Sequence, residues 1–150
     1  MILLQICGFI LLAASGLAVD CPEGYLPHDN ACYAFIMHTA TWAEAREYCL
    51  TLKSHLARIE TAKEQNYILG QTSRLGGDFW IAGFDYLEEG TWYWDGLTPI
   101  GQTWWYSGQP GGGVSNNCLA LMGRYSHAWF ATPCYNYYHF VCERTAGLEG

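Results

Sequence analysis

The chain has 150 residues, a length typical of one domain. It carries 14 acidic residues against 7 basic ones, a formal net charge of −7, which argues against a nucleic-acid partner. Aromatic residues make up 16% of the chain, enough both to enlarge a small core and to form contact surfaces.

Residues 1–18 predict a cleaved signal peptide. An apolar run ends in small residues, and Gly16 and Ala18 precede a cleavage site at Val19. The alternative is a membrane anchor, but the run is too short to span a bilayer comfortably and no second run follows it. We therefore expect a secreted mature chain, residues 19–150, that forms a single domain without a membrane span.

The cysteine content agrees with export from the cell. The chain has seven cysteines, of which Cys7 belongs to the predicted signal peptide. The even set that remains predicts a disulfide framework, whose pairing the spacing alone leaves open. No Cys-x-x-Cys pair occurs, which argues against a zinc site. The mature cysteines are Cys21, Cys32, Cys49, Cys118, Cys134 and Cys142.

Two capping boxes mark the starts of two helices, at residues 41–44 and 61–64. In each, a threonine can accept a backbone N–H while the glutamate three residues later reaches back. The second helix should end before Gly76. The residues expected to face the core are Ala45, Tyr48, Cys49 and Leu52 in the first helix and Tyr67, Ile68 and Gln71 in the second.

The chain beyond the second helix has the pattern of short strands. Residues 79–84 form an apolar run that suits a buried strand, and residues 91–94 alternate before a turn signal at 95–96. Two helices followed by strands predict an α+β fold. The later strands are expected at residues 118–122, 129–131 and 138–143.

Residues 97–117 are predicted to form a long irregular loop. They show no clear period and contain Pro99, Pro110 and three consecutive glycines at 111–113. Long loops without structure of their own are uncommon in compact domains unless they are functional. This loop is therefore the first candidate for a binding surface.

Six short motifs stand in a fixed order along the chain. They are Cys21-Pro22-Glu23-Gly24-Tyr25, then Trp42, Ala45 and Cys49 at helical spacing, His55-Leu56-Ala57-Arg58-Ile59, Trp80-Ile81-Ala82-Gly83, Glu89-Gly90-Thr91-Trp92-Tyr93-Trp94-Asp95-Gly96 and Phe140-Val141-Cys142-Glu143. Each is weak alone, but together they resemble the long form of the C-type lectin-like family over essentially the whole mature chain. Within that family, residues 73–94 and 107–110 resemble the perlucin-like proteins of molluscs.

The resemblance implies a C-type lectin-like fold, in which two helices pack on short antiparallel sheets beside a long irregular loop. It also selects three disulfides, Cys21–Cys32, Cys49–Cys142 and Cys118–Cys134. By loop-closure estimates the two short disulfide loops contribute about 3 kcal/mol each and the long one about 4.5 kcal/mol. The family's framework positions, which we interpret as structural, are His55, Trp80, Trp92, Trp94, Trp105 and Trp129.

In calcium-dependent members the long loop holds one Ca²⁺ with hard oxygens, namely the flanks of a cis-proline motif, a later Glu and an Asn-Asp pair. Ca²⁺ takes about 6–8 oxygens, and carboxylates supply most of the affinity. No expected carboxylate remains here, so we expect no metal, or at most weak calcium binding helped by Asp95 or a backbone carbonyl. The corresponding positions are Gln109, Gly111, Asn116, Phe130 and Ala131.

Polar and aromatic side chains in and near the loop are candidates for ligand binding instead. Exposed rings stack on the apolar faces of sugars, and amides and phenols form hydrogen bonds with hydroxyls. The competing interpretation is that the rings pack under the loop and the asparagines are turn residues. The candidates are Gln109, Asn116, Asn117, Trp104, Tyr106 and Tyr135, with Tyr125, Tyr137 and Tyr138 nearby.

The resemblance implies a secreted, lectin-like module that binds carbohydrate or extracellular matrix, with the usual calcium site degraded. The leading hypothesis is a perlucin-like role in the organic matrix of a shell, in contact with polysaccharide, matrix proteins or calcium carbonate mineral. The alternatives are an innate immune lectin that recognises microbial glycans and a structural protein that binds only protein or mineral. An enzyme is not expected, because no nucleophile motif such as Gly-x-Ser-x-Gly occurs.

Overall fold

The computed structural model describes residues 20–147. Within this part of the chain the fold has two α-helices and nine strands. The predicted signal peptide lies outside the described residues. Neither helix of this part is long and apolar enough to cross a membrane. In chain order the elements are β1 (Leu26–His28), β2 (Ala31–Ala40), α1 (Trp42–Thr51), β3 (His55–Leu56), α2 (Ala62–Leu75), β4 (Phe79–Phe84), β5 (Tyr93–Trp94), β6 (Thr98–Pro99), β7 (Cys118–Met122), β8 (Ala128–Thr132) and β9 (Tyr138–Thr145).

Both helices begin at the capping boxes that the sequence predicts. The Thr41 hydroxyl accepts from the Glu44 backbone N–H at 3.3 Å, and the Glu44 carboxylate accepts from the Thr41 N–H at 2.9 Å. The same reciprocal pair joins Thr61 and Glu64 at the start of α2. The predicted end of α2 is also confirmed, because Gly76 follows its last turn.

The predicted buried face of α1 is wrong in two of its four residues. Tyr48 and Leu52 are each 37% exposed. The Tyr48 ring lies edge-on against His38 and Phe140, so it covers the sheet from outside rather than entering the core. Leu52 stands at the end of the helix, where the chain turns away. The buried residues of α1 are Trp42, Ala45 and Cys49.

Helix α2 buries polar side chains that the apolar pattern did not single out. Gln65, Ile68 and Thr72 are buried, whereas the predicted Tyr67 and Gln71 are only half-buried. The Thr72 hydroxyl donates to the Ile68 carbonyl at 3.0 Å. A polar group with its hydrogen bonds satisfied can be buried at little cost, and apolar periodicity does not detect it.

The sheet is antiparallel except at its centre. The strand order is β1-β2-β9-β4-β5-β6, with β7 paired to β4 and β8 paired to β7. Strands β4 and β9 run parallel, a pairing that the expectation of antiparallel sheets did not include. The β1–β2 hairpin is likewise absent from the sequence prediction. Strand β2 also pairs with β9, from Ala31↔Thr145 to Ile36↔Phe140. The predicted strands at 79–84 and 118–122 are confirmed, and β8 and β9 extend slightly beyond their predicted limits.

Three disulfides join the periphery to this sheet. Cys21–Cys32 ties the start of the described chain to β2, and Cys49–Cys142 ties α1 to β9. Cys118–Cys134 joins the start of β7 to the segment that follows β8. These are the pairs that the family resemblance implies.

Tryptophans form the centre of the core, and the indole N–H groups of three of them have partners within the fold. Trp42 donates to the Ile81 carbonyl and Trp80 to the Ala40 carbonyl, both at 2.9 Å. Trp129 is fully buried and donates to the Gln65 side-chain oxygen at 3.0 Å. Three further rings surround Trp129, namely Trp94, Trp104 and Trp105, with centroids 5.4–5.8 Å away.

Removing the acceptor for the Trp129 indole should destabilise the fold. We expect Gln65→Leu to lower the free energy of unfolding by about 1–3 kcal/mol, because it leaves a buried N–H without a partner. Urea denaturation of the oxidised protein measures this. In a Trp129→Phe background the same substitution should cost almost nothing, and Gln71→Leu on the same helix is the control. An equal cost in both backgrounds would show that Gln65 acts through packing alone.

Among the described carboxylates, Glu143 in β9 has the pKa that burial raises most. The pKa of Glu143 is raised from 4.5 to about 7, chiefly by burial and in smaller part by the nearby Glu64 and Glu60. The Arg58 backbone N–H donates to Glu143 at 2.9 Å and opposes the shift. Because the folded pKa is raised, the stability that this group contributes is complete below about pH 4.5 and is lost as the pH rises through about 7.

We expect Glu143→Gln to remove this pH dependence. The variant should gain roughly 2–3 kcal/mol over the parent at pH 8, and the difference should close near pH 4.5. Thermal unfolding from pH 4 to 8 measures it, with Glu47→Gln on the exposed side of α1 as the matched control. A constant difference between parent and Glu143→Gln at every pH would contradict the raised pKa.

Candidate functional site

The long loop lies along β8 and is anchored there by backbone hydrogen bonds. The Trp129 N–H donates to the Trp104 carbonyl at 3.2 Å, and the Tyr106 N–H donates to the Trp129 carbonyl at 3.0 Å. The predicted irregular segment 97–117 contains only the two-residue β6 and one short 3₁₀ turn at Gly113–Ser115. The loop is thus irregular in conformation but firmly joined to the buried Trp129.

Gln109 holds the far part of the loop through its side chain, in an arrangement that we call the Gln109 clamp. Its amide oxygen accepts from the Gly111 backbone N–H and from the Ala131 backbone N–H, both at 3.1 Å. The Gln109–Pro110 peptide bond is cis. One oxygen therefore closes the turn at residues 109–111 and ties it to β8.

The two asparagines of the loop are engaged within its tip. The Asn117 amide donates to the Val114 carbonyl at 3.0 Å. Asn116 packs over Gly112, where a Cβ atom would come within 1.9 Å of the Asn116 side-chain nitrogen. Since Gly112 also has a φ of +80°, only glycine suits this position. The asparagines thus behave as turn residues, the competing interpretation of their sequence pattern.

Asp85, at the end of β4, is a buried carboxylate beside the loop that sequence reasoning did not single out. Its backbone N–H donates to the Asn117 carbonyl, and its side chain accepts from the Gly90 N–H, both at 3.0 Å. Burial raises the pKa of Asp85. Among residues 20–147, one side-chain oxygen of Asp85 and one of Asn117 find no hydrogen-bond partner. Asp95, by contrast, is bound through both oxygens by the Arg46 guanidinium at 2.9 Å.

Three aromatic rings form a ring cluster on the outer side of β8, made of Tyr106, Tyr125 and Phe130. The ring centroids of Phe130 lie 5.1 Å from Tyr106 and 4.6 Å from Tyr125, and the two tyrosines lie 4.9 Å apart. Because all three distances are similar, the rings form a compact triangle rather than a linear stack. Tyr106 is 42% exposed, and the Arg124 guanidinium lies 5.9 Å from the Tyr125 ring centroid.

The remaining sequence candidates lie apart from this cluster. Trp104 is half-buried with its ring against Trp129, so it packs under the loop. Tyr135 is 72% exposed in the turn after β8, and no ring of the described part packs against it. The structure therefore groups Tyr106 with Tyr125, and adds Phe130, which the sequence pattern presents only as an altered calcium position.

A small α+β domain with three disulfides, a long anchored loop and a ring cluster with one exposed tyrosine has the features of a non-enzymatic binding module. Comparison with known proteins agrees. The Lectin C-type domain matches residues 38–144. The chain belongs to the C-type lectin family, whose domains are binding modules rather than enzymes.

One relative and two solved structures illustrate the similarity. The chain is 37% identical to perlucin of Haliotis laevigata over 131 residues, which are 83% of this chain and 83% of perlucin. The carbohydrate-recognition domain of the mouse scavenger receptor C-type lectin superposes with a TM-score of 0.79 at 27% identity, covering 83% of this chain and 96% of that domain. A calcium-independent type II antifreeze protein superposes with a TM-score of 0.78 at 28% identity, covering 86% of this chain and 97% of that protein.

Loss of the Gln109 clamp should loosen the loop. We expect Gln109→Ala to lower the free energy of unfolding by about 1–3 kcal/mol, because two hydrogen bonds are lost, and to speed proteolytic cleavage between residues 100 and 117. Gln109→Glu keeps an oxygen acceptor and should retain most of the protection. Gln102→Ala, in the same loop but outside the clamp, is the control. Cleavage of Gln109→Ala at the parent rate would contradict the clamp.

Proposed function

We propose that this chain is a secreted carbohydrate-binding module of an extracellular matrix that holds its ligand without calcium. The observation that carries the proposal is the Gln109 clamp. The oxygen that would face a calcium ion is committed to two backbone N–H groups of the protein itself. The loop is thereby held in position by the chain alone, beside the ring cluster and its exposed Tyr106.

The donor groups at the family's calcium positions do not fit a calcium ion. Gly111, Phe130 and Ala131 have no side-chain oxygen, and Asn116 is packed over the loop tip. The free oxygens of Asp85 and Asn117 offer one carboxylate and one amide. That falls short of the roughly six to eight oxygens, several of them charged, that Ca²⁺ requires. A calcium-independent antifreeze protein with the same fold supports the view that the scaffold does not need the ion.

The ring cluster supplies the contacts that calcium coordination would otherwise provide. Pyranose rings present apolar C–H faces that pack against aromatic rings. Within residues 20–147, the hydroxyls of Tyr106 and Tyr125 make no hydrogen bond, so they remain available to sugar hydroxyls. The similarity to a carbohydrate-recognition domain supports a glycan as the ligand.

A matrix role is supported by the similarity to perlucin together with the signal peptide that the sequence predicts. In this role the module contacts matrix polysaccharide and, through it, matrix proteins or calcium carbonate mineral of a shell. Innate immune recognition of microbial glycans uses the same site chemistry. Expression in mantle tissue supports the matrix role, and expression in blood cells or gut supports the immune one.

Glycan binding in the presence and absence of calcium tests the proposal. We expect the oxidised mature protein, residues 19–150, to bind immobilised polysaccharides, chitin included, equally in millimolar calcium and in EDTA. Tyr106→Ala should weaken this binding about ten-fold, the loss expected for one aromatic contact. Tyr135→Ala removes an equally large ring outside the cluster and is the matched control.

Two results would contradict the proposal. Binding abolished by EDTA would mean that calcium is held by ligands other than those considered above. Absence of binding to every glycan in both conditions would favour a protein or mineral partner.

A further inference from the structure

We infer that the ring cluster and the Arg124 guanidinium together form one contact surface for a polysaccharide whose pyranose rings carry anionic groups. The inference rests on the proposed function and specifies the class of sugar that this site binds. The exposed Tyr106 contacts the face of a sugar ring, with Tyr125 and Phe130 packed beside it, and Arg124 binds a sulfate or carboxylate substituent.

The first part of the argument is the position of Arg124 relative to the rings. Arg124 and Tyr125 both belong to the short 3₁₀ turn Gly123–Tyr125 between β7 and β8. The guanidinium carbon lies 5.9 Å from the centroid of the Tyr125 ring, which itself lies 4.6 Å from the Phe130 ring. An anionic substituent on a sugar packed against the cluster can therefore reach the Arg124 guanidinium.

The second part is that Arg124 lacks a carboxylate partner among residues 20–147. Arg46 is paired with Asp95 and Glu47, and Lys63 is paired with Asp29. The contact of Arg124 with Tyr125 is its one interaction in the described part of the chain. Arg124 is exposed and stands beside the candidate ligand surface. Its planar fork of donors matches the oxygens of sulfate and carboxylate.

The third part concerns the net charge of −7, which repels polyanions as a whole. Nonspecific attraction of an anionic polymer to this protein is therefore weak. Binding of such a polymer requires a local cation at the contact surface, and Arg124 meets that requirement at the ring cluster. Loss of this one charge should then affect anionic ligands selectively.

Three soluble polymers with one β-1,4-glucan backbone test the inference, namely neutral hydroxyethyl cellulose, cellulose sulfate and carboxymethyl cellulose. We expect the parent to bind at least one anionic polymer more tightly than the neutral one. Arg124→Gln should weaken anionic binding about five-fold, as for an exposed ion pair, and leave neutral binding unchanged. Tyr106→Leu should weaken binding of all three. Titration by fluorescence or calorimetry at fixed ionic strength measures each affinity.

Arg74→Gln, which removes an exposed charge from α2, is the matched control. An equal loss for Arg74→Gln and Arg124→Gln would assign the effect to overall charge and overturn the inference. Equal affinity of the parent for neutral and anionic polymers would also overturn it, while leaving the proposed glycan binding intact. If the parent binds none of the three polymers and no glycan of the wider panel, the proposed function itself fails. Preference for cellulose sulfate or for carboxymethyl cellulose identifies which anion Arg124 binds.

Discussion

The buried indole of Trp129 is the contact on which the rest of the architecture depends. Its N–H bonds to Gln65 and so joins β8 to α2. Its ring packs among the neighbouring tryptophans, and both its backbone groups bond to the loop segment that carries Trp104 and Tyr106. One residue thereby connects helix, sheet and loop, which explains how a segment with little regular structure can present side chains in a fixed arrangement.

Features that depend on neighbours in sequence could be predicted, and features that depend on distant partners could not. The capping boxes of α1 and α2 are local hydrogen bonds, and the sequence shows them directly. Strand β2 could not be predicted, because its sequence lacks the two-residue alternation of a half-buried strand. It is stabilised by pairing with β9, about a hundred residues later in the chain. The burial of Gln65 could not be predicted from its polar side chain. It depends on the hydrogen bond that the side chain accepts from the distant Trp129 indole.

The candidate site follows the same division. Its place in the long loop could be predicted from composition and spacing, but the sequence left open which aromatic rings are exposed, and the 42% exposure of Tyr106 comes from the structure. The Gln109 clamp could not be predicted, since the second donor is the backbone of Ala131, 22 residues away, which carries no sequence signal. From the sequence, Phe130 could be identified only as an apolar residue at a position where calcium-dependent relatives have a polar ligand. Its contribution to the ring cluster depends on how the β7–β8 turn folds back toward the loop.

The Gln109 clamp separates the shape of the loop from the chemistry of its surface. Where an ion organises a loop, the same residues must both hold the ion and meet the ligand, so most substitutions damage both tasks. Here one amide oxygen and two backbone N–H groups hold the far part of the loop. Under the proposed function, side chains such as Phe130 and Ala131 of β8 coordinate no ion, so they can change over evolution without a loss of the loop conformation.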